Sequence, residues 1–215
     1  MQYLLNKKIR KIDYVIISHF DSDHIGGLFN VIDKLKVETI IIPKQSEQSE
    51  NYQRFAEITQ NKKINMIVVG ASNARPQKIQ IQKDLYIDIL WPDNSNSITE
   101  NSINNNSIVC KLTYGEFSIL FTGDIEEIAE REILQKYKDN LSLLKSTILK
   151  VAHHGSKTSS TQEFIKAVNP KIALIGVGEN NKFGHPNEDV TKRLEDLRNK
   201  NISYRPNGRD NNNSR

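Results

Sequence analysis

Cysteine is nearly absent from this sequence: one residue, Cys110, stands among 215. A single thiol excludes an internal disulfide framework. Its place in the run 107–114, which reads as a strand, marks it as core packing rather than a nucleophile. Aromatic residues are scarce at 7% and hydrophobic residues reach only 37%, yet apolar runs recur at regular intervals, which excludes a disordered chain. No stretch approaches the roughly 18 apolar residues that a membrane-spanning helix needs. The opening Met1-Gln2-Tyr3-Leu4-Leu5 is too short for a signal peptide, so the chain as written is expected to be cytoplasmic. Charge of one sign is not in large excess either, with 30 basic against 26 acidic side chains and a net charge of +4. That balance tolerates a polyanionic substrate without pointing to one. The length suits one domain with a substantial core.

What the sequence does have is a concentration of metal-ligating side chains. The stretch Ser18-His19-Phe20-Asp21-Ser22-Asp23-His24-Ile25-Gly26-Gly27 places two imidazoles and two carboxylates in six consecutive positions. It follows a strand-like run at 13–18 and precedes a helical pattern. In a continuing strand, neighbouring side chains point to opposite faces, whereas a loop at a strand's end lets residues two apart converge. The plainer alternative is a solvated helix cap with Asp23 as N-cap. The distribution of histidine argues against it. Of five in the chain, two fall here, two are His153-His154, and the last is His185 in Phe183-Gly184-His185-Pro186.

In chain order, a short helix ends near Lys11, a buried strand at 13–18 delivers His19, and apolar residues at Ile25, Leu28, Phe29, Ile32 and Leu35 predict a helix. A strand at 37–43, a polar helix at 46–60 and a strand at 64–70 continue an α/β alternation. The runs 78–82 and 85–90 alternate apolar and polar residues, as half-exposed antiparallel strands do. An Asn- and Ser-rich segment at 93–106 suits a functional loop. Strands at 107–114 and 117–121 form a hairpin ending in Thr122-Gly123-Asp124, and a helix is expected at 125–137. A strand at 147–152 delivers His153 and His154. A helix at 161–168, a strand at 171–177 and a helix at 188–200 complete the pattern, with a polar tail at 205–215. Each candidate ligand follows a strand, so one sheet edge is expected to gather His19, Asp124 and His154. The plainer role for Asp124 is a helix N-cap, and for His185 a surface loop residue.

His19-x-Asp21-x-Asp23-His24 resembles the His-x-His-x-Asp-His signature of the metallo-β-lactamase family, in a variant with Asp at the second position. Four further motifs follow in order: Asn105-Asn106, Thr122-Gly123-Asp124, Lys150-Val151-Ala152-His153-His154-Gly155-Ser156, and Gly184-His185-Pro186. With them, the span from about 11 to 197 is similar to the C-terminal domain of the ComEC family of DNA-internalisation competence proteins. The resemblance implies an α/β fold, a four-layer αβ/βα sandwich, here expected to lack its N-terminal strands, across 1–204. It implies a metal-dependent hydrolase with two divalent metal ions. The ligands carried over are His19 and Asp21 for one ion, Asp23 and His24 for the other, Asp124 as the bridge, and His185. Of His153 and His154, one is expected to be a ligand and the other a proton donor. We carry His153 as ligand, and His154 with Asp23 as catalytic.

Two positions depart from the wider family. Asp21 and Asn105 place oxygen where many relatives place nitrogen, which moves metal preference from Zn²⁺ toward Mn²⁺ or Mg²⁺. Asn105, Ser156 and Lys157 are candidates for contacting a phosphate. The resemblance implies DNA, expected to be single-stranded, or another phosphodiester as substrate. It also implies a membrane channel protein or a missing N-terminal segment as partner, with membrane association in that setting. Two other classes remain open: a small-molecule ester or phosphodiester hydrolase of the same fold, and a truncated, non-catalytic metal-binding module.

Overall fold

The protein is described by a computed structural model covering residues 1–44, 49–70, 78–93, 97–178, 181–196 and 203–205. Its elements are α1 (Gln2–Asn6), β1 (Lys11–Ile16), α2 (Ser22–Lys34), β2 (Lys36–Pro43), α3 (Glu50–Asn61) and β3 (Asn65–Val69). They continue as β4 (Lys78–Gln82), β5 (Leu85–Trp91), α4 (Ser102–Asn105), β6 (Val109–Tyr114), β7 (Phe117–Phe121) and α5 (Glu127–Lys136). The last are β8 (Ile148–Lys150), α6 (Gln162–Val168), β9 (Ile172–Leu174), α7 (Glu188–Asp196) and β10 (Ser203–Arg205). The chain divides into two compact units, Met1–Ile79 with Ile89–Val109, and Gln80–Asp88 with Cys110–Arg215.

In the first unit, β1, β2 and β3 form a parallel sheet in that order. Parallel neighbours need a crossover, and α2 and α3 supply the two. The apolar spacing of α2 puts Ile25 and Ile32 into the core, where they join Ile17, Phe20, Ile40, Ile42 and Phe55. Ser49 caps α3 by accepting from the Tyr52 amide at 3.2 Å. Ser46, expected inside that helix, lies outside the described residues. β1 is not the buried strand expected: it is the sheet's edge, and Tyr14 is 43% exposed. Trp91 is fully buried and donates from Nε1 to the Asn105 carbonyl at 2.8 Å.

The second sheet has seven strands in the order β10-β9-β8-β7-β6-β5-β4. The β6–β7 hairpin is antiparallel, whereas β7–β8, β8–β9 and β9–β10 are parallel. Leu120, Leu149 and Ala173 lie in register across β7, β8 and β9 and are all buried. Buried with them are Ile125, Ala129 and Ile133 around α5, Phe164, Ile165 and Val168 of α6, and Val190 and Leu194 of α7. Cys110 packs in β6, and burial pushes its thiol up to about 12, so it is no nucleophile. The expected tail begins one residue early, because Arg205 belongs to β10. Residues 206–215, and the end of the last helix at 197–200, lie outside the described residues.

Candidate metal centre

In the first unit the ligand-rich stretch is pinned from inside. Phe20, between His19 and Asp21, is 1% exposed and packs edge-on against Phe55 and Tyr52, with ring centroids 5.2 and 5.0 Å away. Asn51 donates from Nδ2 to the Phe20 carbonyl and to Ser22 Oγ, each at 3.0 Å. A core aromatic in the middle of the motif fixes the side chains on either side of it. Helix α2 begins at Ser22, and Asp21 occupies its N-cap position without making a side-chain capping bond. The plainer alternative of Asp23 as N-cap does not hold: Asp23 sits in the first helical turn.

His19 is fully buried, and its ring lies 4.0 Å from that of His24, centroid to centroid. Ser18 Oγ is 3.1 Å from Nδ1 of both rings. The opposite nitrogens face carboxylates: His19 Nε2 is 3.6 Å from Asp21 Oδ2, and His24 Nε2 is 3.6 Å from Asp23 Oδ2. A hydroxyl oxygen accepts from two N–H groups, so Ser18 can hold both imidazoles in the tautomer that leaves Nε2 as a lone-pair donor. The ring nitrogens of His19 and His24 lie within 4.8 Å of one another, as do ligand atoms of Asp23 and His24. Neutral imidazole nitrogen together with carboxylate oxygen, close enough to share an ion, fits a divalent metal.

In the second unit, Thr122-Gly123-Asp124 is tied to the end of β8. Thr122 Oγ1 donates to the Lys150 carbonyl at 2.6 Å, and the His153 amide donates to the Gly123 carbonyl at 3.2 Å. The N-cap of α5 is Glu126, so capping does not account for the nearly buried Asp124. His153 and His154 both occupy the left-handed region, with φ of 46° and 54°. For residues with a Cβ this costs about 1–2 kcal/mol each, and such strain persists where surrounding structure enforces it.

The result is two rings with different partners. His154 Nδ1 donates to the Gly176 carbonyl at 2.6 Å, while its Nε2 lies 3.3 Å from Asp124 Oδ2. The Asp124 carboxylate, helped by the Gly176 carbonyl and opposed by burial, pushes the His154 pKa up to about 9. His153 Nδ1 lies 3.4 Å from Glu126 Oε1, which also accepts from Thr158 Oγ1 at 2.8 Å. The His185 ring is 5.8 Å from that of His153, and burial, then His153 and His154, pulls its pKa down. Burial also lowers the Lys150 ammonium, against the pull of Asp124.

The turn that carries the two histidines is closed by a tightly fitted glycine, and the segment after it is anchored on a buried carboxylate. Gly155 has φ +80°, its carbonyl accepts from the Asn187 amide at 2.8 Å, and a Cβ there would lie 2.8 Å from Pro186 Cβ. Glu130, fully buried, accepts from the amides of Ser160 and Thr161 and from Thr161 Oγ1. Burial raises its pKa against those hydrogen bonds.

Of the three candidates for phosphate contact, Lys157 is exposed. Ser156 is buried, its Oγ 3.0 Å from Thr158 Oγ1. Asn105 is buried in α4 and donates from Nδ2 to the Glu100 carbonyl at 2.9 Å. Sequence reasoning gave no role to Ser18, Glu126 or the Gly176 carbonyl. Ser18 had the weak signal of preceding the first histidine, while the other two are brought to their rings only by folding.

A model of the metallo-beta-lactamase superfamily matches residues 2–179. The chain belongs to this superfamily. Among solved structures, a metallo-β-lactamase-fold likeness covers 91% of the chain and 43% of a CmlA β-hydroxylase E377D mutant, at a TM-score of 0.55 and 10% identity, which speaks for the fold alone. The chain is 32% identical over 193 residues to ComE operon protein 3 of Bacillus subtilis (strain 168), covering 90% of the chain and 23% of that protein. It is 31% identical over 186 residues to competence protein ComA of Neisseria gonorrhoeae, covering 86% and 23%. It is 29% identical over 183 residues to recombination protein 2 of Haemophilus influenzae, covering 85% and 20%. The chain thus spans between a fifth and a quarter of the length of these relatives. Members of the metallo-β-lactamase superfamily are generally metal-dependent hydrolases, and the α/β fold expected from the motifs is the one observed. Among the described residues, no helix is long and apolar enough to cross a membrane.

Proposed function

We propose that this chain is a divalent-metal-dependent phosphodiesterase that cleaves DNA, single strands in particular, in the setting of DNA uptake. The observation that carries the reading is the donor set itself. His19, Asp21, Asp23 and His24 follow one strand in the first unit, and the second unit carries Asp124, His153 and His185; each set by itself mixes imidazole with carboxylate, the donors that divalent metals take in phosphoryl-transfer enzymes. Asp21 adds oxygen where a nitrogen would favour zinc, which suits manganese or magnesium as well. The competence names of the relatives supply the DNA context.

Bound metal ions would supply Lewis acidity and an acidic water toward the phosphodiester. The protein's own residues do the rest. Ser18 keeps Nε2 of His19 and His24 available by accepting at both Nδ1 atoms. Asp23, in the first turn of α2, sets its carboxylate 3.6 Å from His24 Nε2, so the two are placed to take hold of one ion together. Glu126 orients His153. His154, its Nδ1–H anchored on Gly176 and its Nε2–H held by Asp124, delivers a proton to the leaving oxygen. Lys157, exposed just past the turn, meets the phosphate backbone, and a membrane channel protein is the partner that would bring the strand.

The test is cleavage of single-stranded and duplex DNA, beside a chromogenic small phosphodiester, in Mn²⁺, Mg²⁺ or Zn²⁺. Asp23→Ala and Asp124→Ala are expected to abolish DNA cleavage. Cleavage unchanged in either variant overturns the mechanism, and turnover of the small ester without DNA cleavage reassigns the substrate.

A further inference from the structure

We infer that Phe183 is a stacking platform for a nucleobase of the polynucleotide, an inference that names the substrate contact of the site proposed above and rests on that reading. Phe183 is 81% exposed, more than any other large hydrophobic side chain among the described residues. It is not on a loose loop. Asn181 clamps the segment from both ends of its amide: Nδ2 donates to the His185 carbonyl at 2.7 Å, while Oδ1 accepts from the His185 amide at 2.9 Å and the Phe183 amide at 3.2 Å. The Asn181 amide in turn donates to the Gly178 carbonyl at 3.1 Å. A side chain that spends its hydrogen bonds presenting an apolar ring to water implies a use for that ring.

The position of the ring indicates the use. Phe183 stacks on His185, with centroids 5.9 Å apart and planes at 22°. His185 lies beside His153, and His153 beside His154, at 5.8 and 6.4 Å. His154 faces Asp124. The rings therefore run in file from the buried carboxylate to solvent, and the file ends on Phe183. Its chain neighbours Lys182 and Gly184 are a cation and a residue without a side chain, and both are exposed. An isolated ring beside a cation does not form the broad apolar patch of a protein interface. It has the make-up of a single-strand contact, where aromatic faces stack on bases without regard to sequence and lysines meet phosphates.

The experiment places an indole on the platform with Phe183→Trp. The native Trp91 is 1% exposed, so the introduced fluorophore reports alone on the exposed position. Metal-free protein is titrated with a single-stranded oligothymidylate and with an abasic strand of equal length. Quenching of the introduced indole by the first and not by the second is expected. Phe183→Ala should bind the oligothymidylate about five- to a hundredfold more weakly, with its affinity for the abasic strand and its melting temperature unchanged. Equal quenching by both strands, or equal oligothymidylate affinity in Phe183→Ala, overturns the inference. Base-dependent quenching without DNA cleavage keeps the platform and removes the nuclease reading. Cleavage without base dependence keeps the nuclease and removes the platform.

Discussion

The two histidine-bearing loops reach the same end, fixed imidazoles, by opposite means. The loop at 18–24 is held by side chains: Phe20 is driven into the core, and a single hydroxyl, Ser18, serves two rings. Its backbone is ordinary, since it runs into a regular helix. The turn at 153–155 is held by the backbone, with two left-handed histidines in succession, a glycine at φ +80°, and carbonyls or carboxylates as the ring partners. A site built the first way yields to side-chain truncation. One built the second way yields to changes that forbid its backbone.

Phe20→Ala is the heaviest blow to the first loop. It should cost about 3–5 kcal/mol, the range for emptying a core aromatic, read as the denaturation midpoint of metal-free protein. A cost under about 1 kcal/mol would mean that the core does not pin this loop. The matching blow to the second turn is Gly155→Ala, which adds a Cβ 2.8 Å from Pro186 in a left-handed backbone. About 3 kcal/mol is expected from strain and crowding together, and a neutral result would show that the turn adapts.

Ser18→Ala leaves the core alone and removes only the shared acceptor. Divalent-metal affinity should fall about 10- to 100-fold, measured by competition with a chromogenic chelator, with little change in metal-free melting. The gentlest probe is pH. The His154 pKa is raised from an ordinary 6.5 to about 9 by Asp124, so its contribution to metal-free stability is complete below pH 6.5 and lost as pH rises through 9. Melting temperature should decline across that window, by little because the pair is partly solvated, and Asp124→Asn should flatten the decline.

The difference between the loops also explains what the sequence made legible. The α/β alternation and the ligand positions were readable because apolar periodicity and the spacing of His19, Asp21, Asp23 and His24 are local properties. The start of α2 at Ser22 was not, because its N-cap, Asp21, makes no side-chain capping bond and the apolar stripe begins only at Ile25. The apolar residues of β1 predict a buried strand, whereas the strand lies at the sheet's edge, with no neighbouring strand along one side, and Tyr14 is 43% exposed. Nothing in His153-His154 announces two left-handed residues, because glycine is the residue that most plainly advertises that conformation, and the Gly123 and Gly176 carbonyls that accept from the two histidines are remote in sequence. Glu126 is distant from His153 along the chain, so its partnership exists only once both are folded.

The most direct test of whether these loops hold metal is elemental analysis of the purified chain beside His19→Ala and His153→Ala. Two divalent ions per chain in the unaltered protein, with loss of metal in each variant, is the predicted result. No metal retained from Mn²⁺- or Zn²⁺-containing buffer, or full retention in both variants, would contradict it.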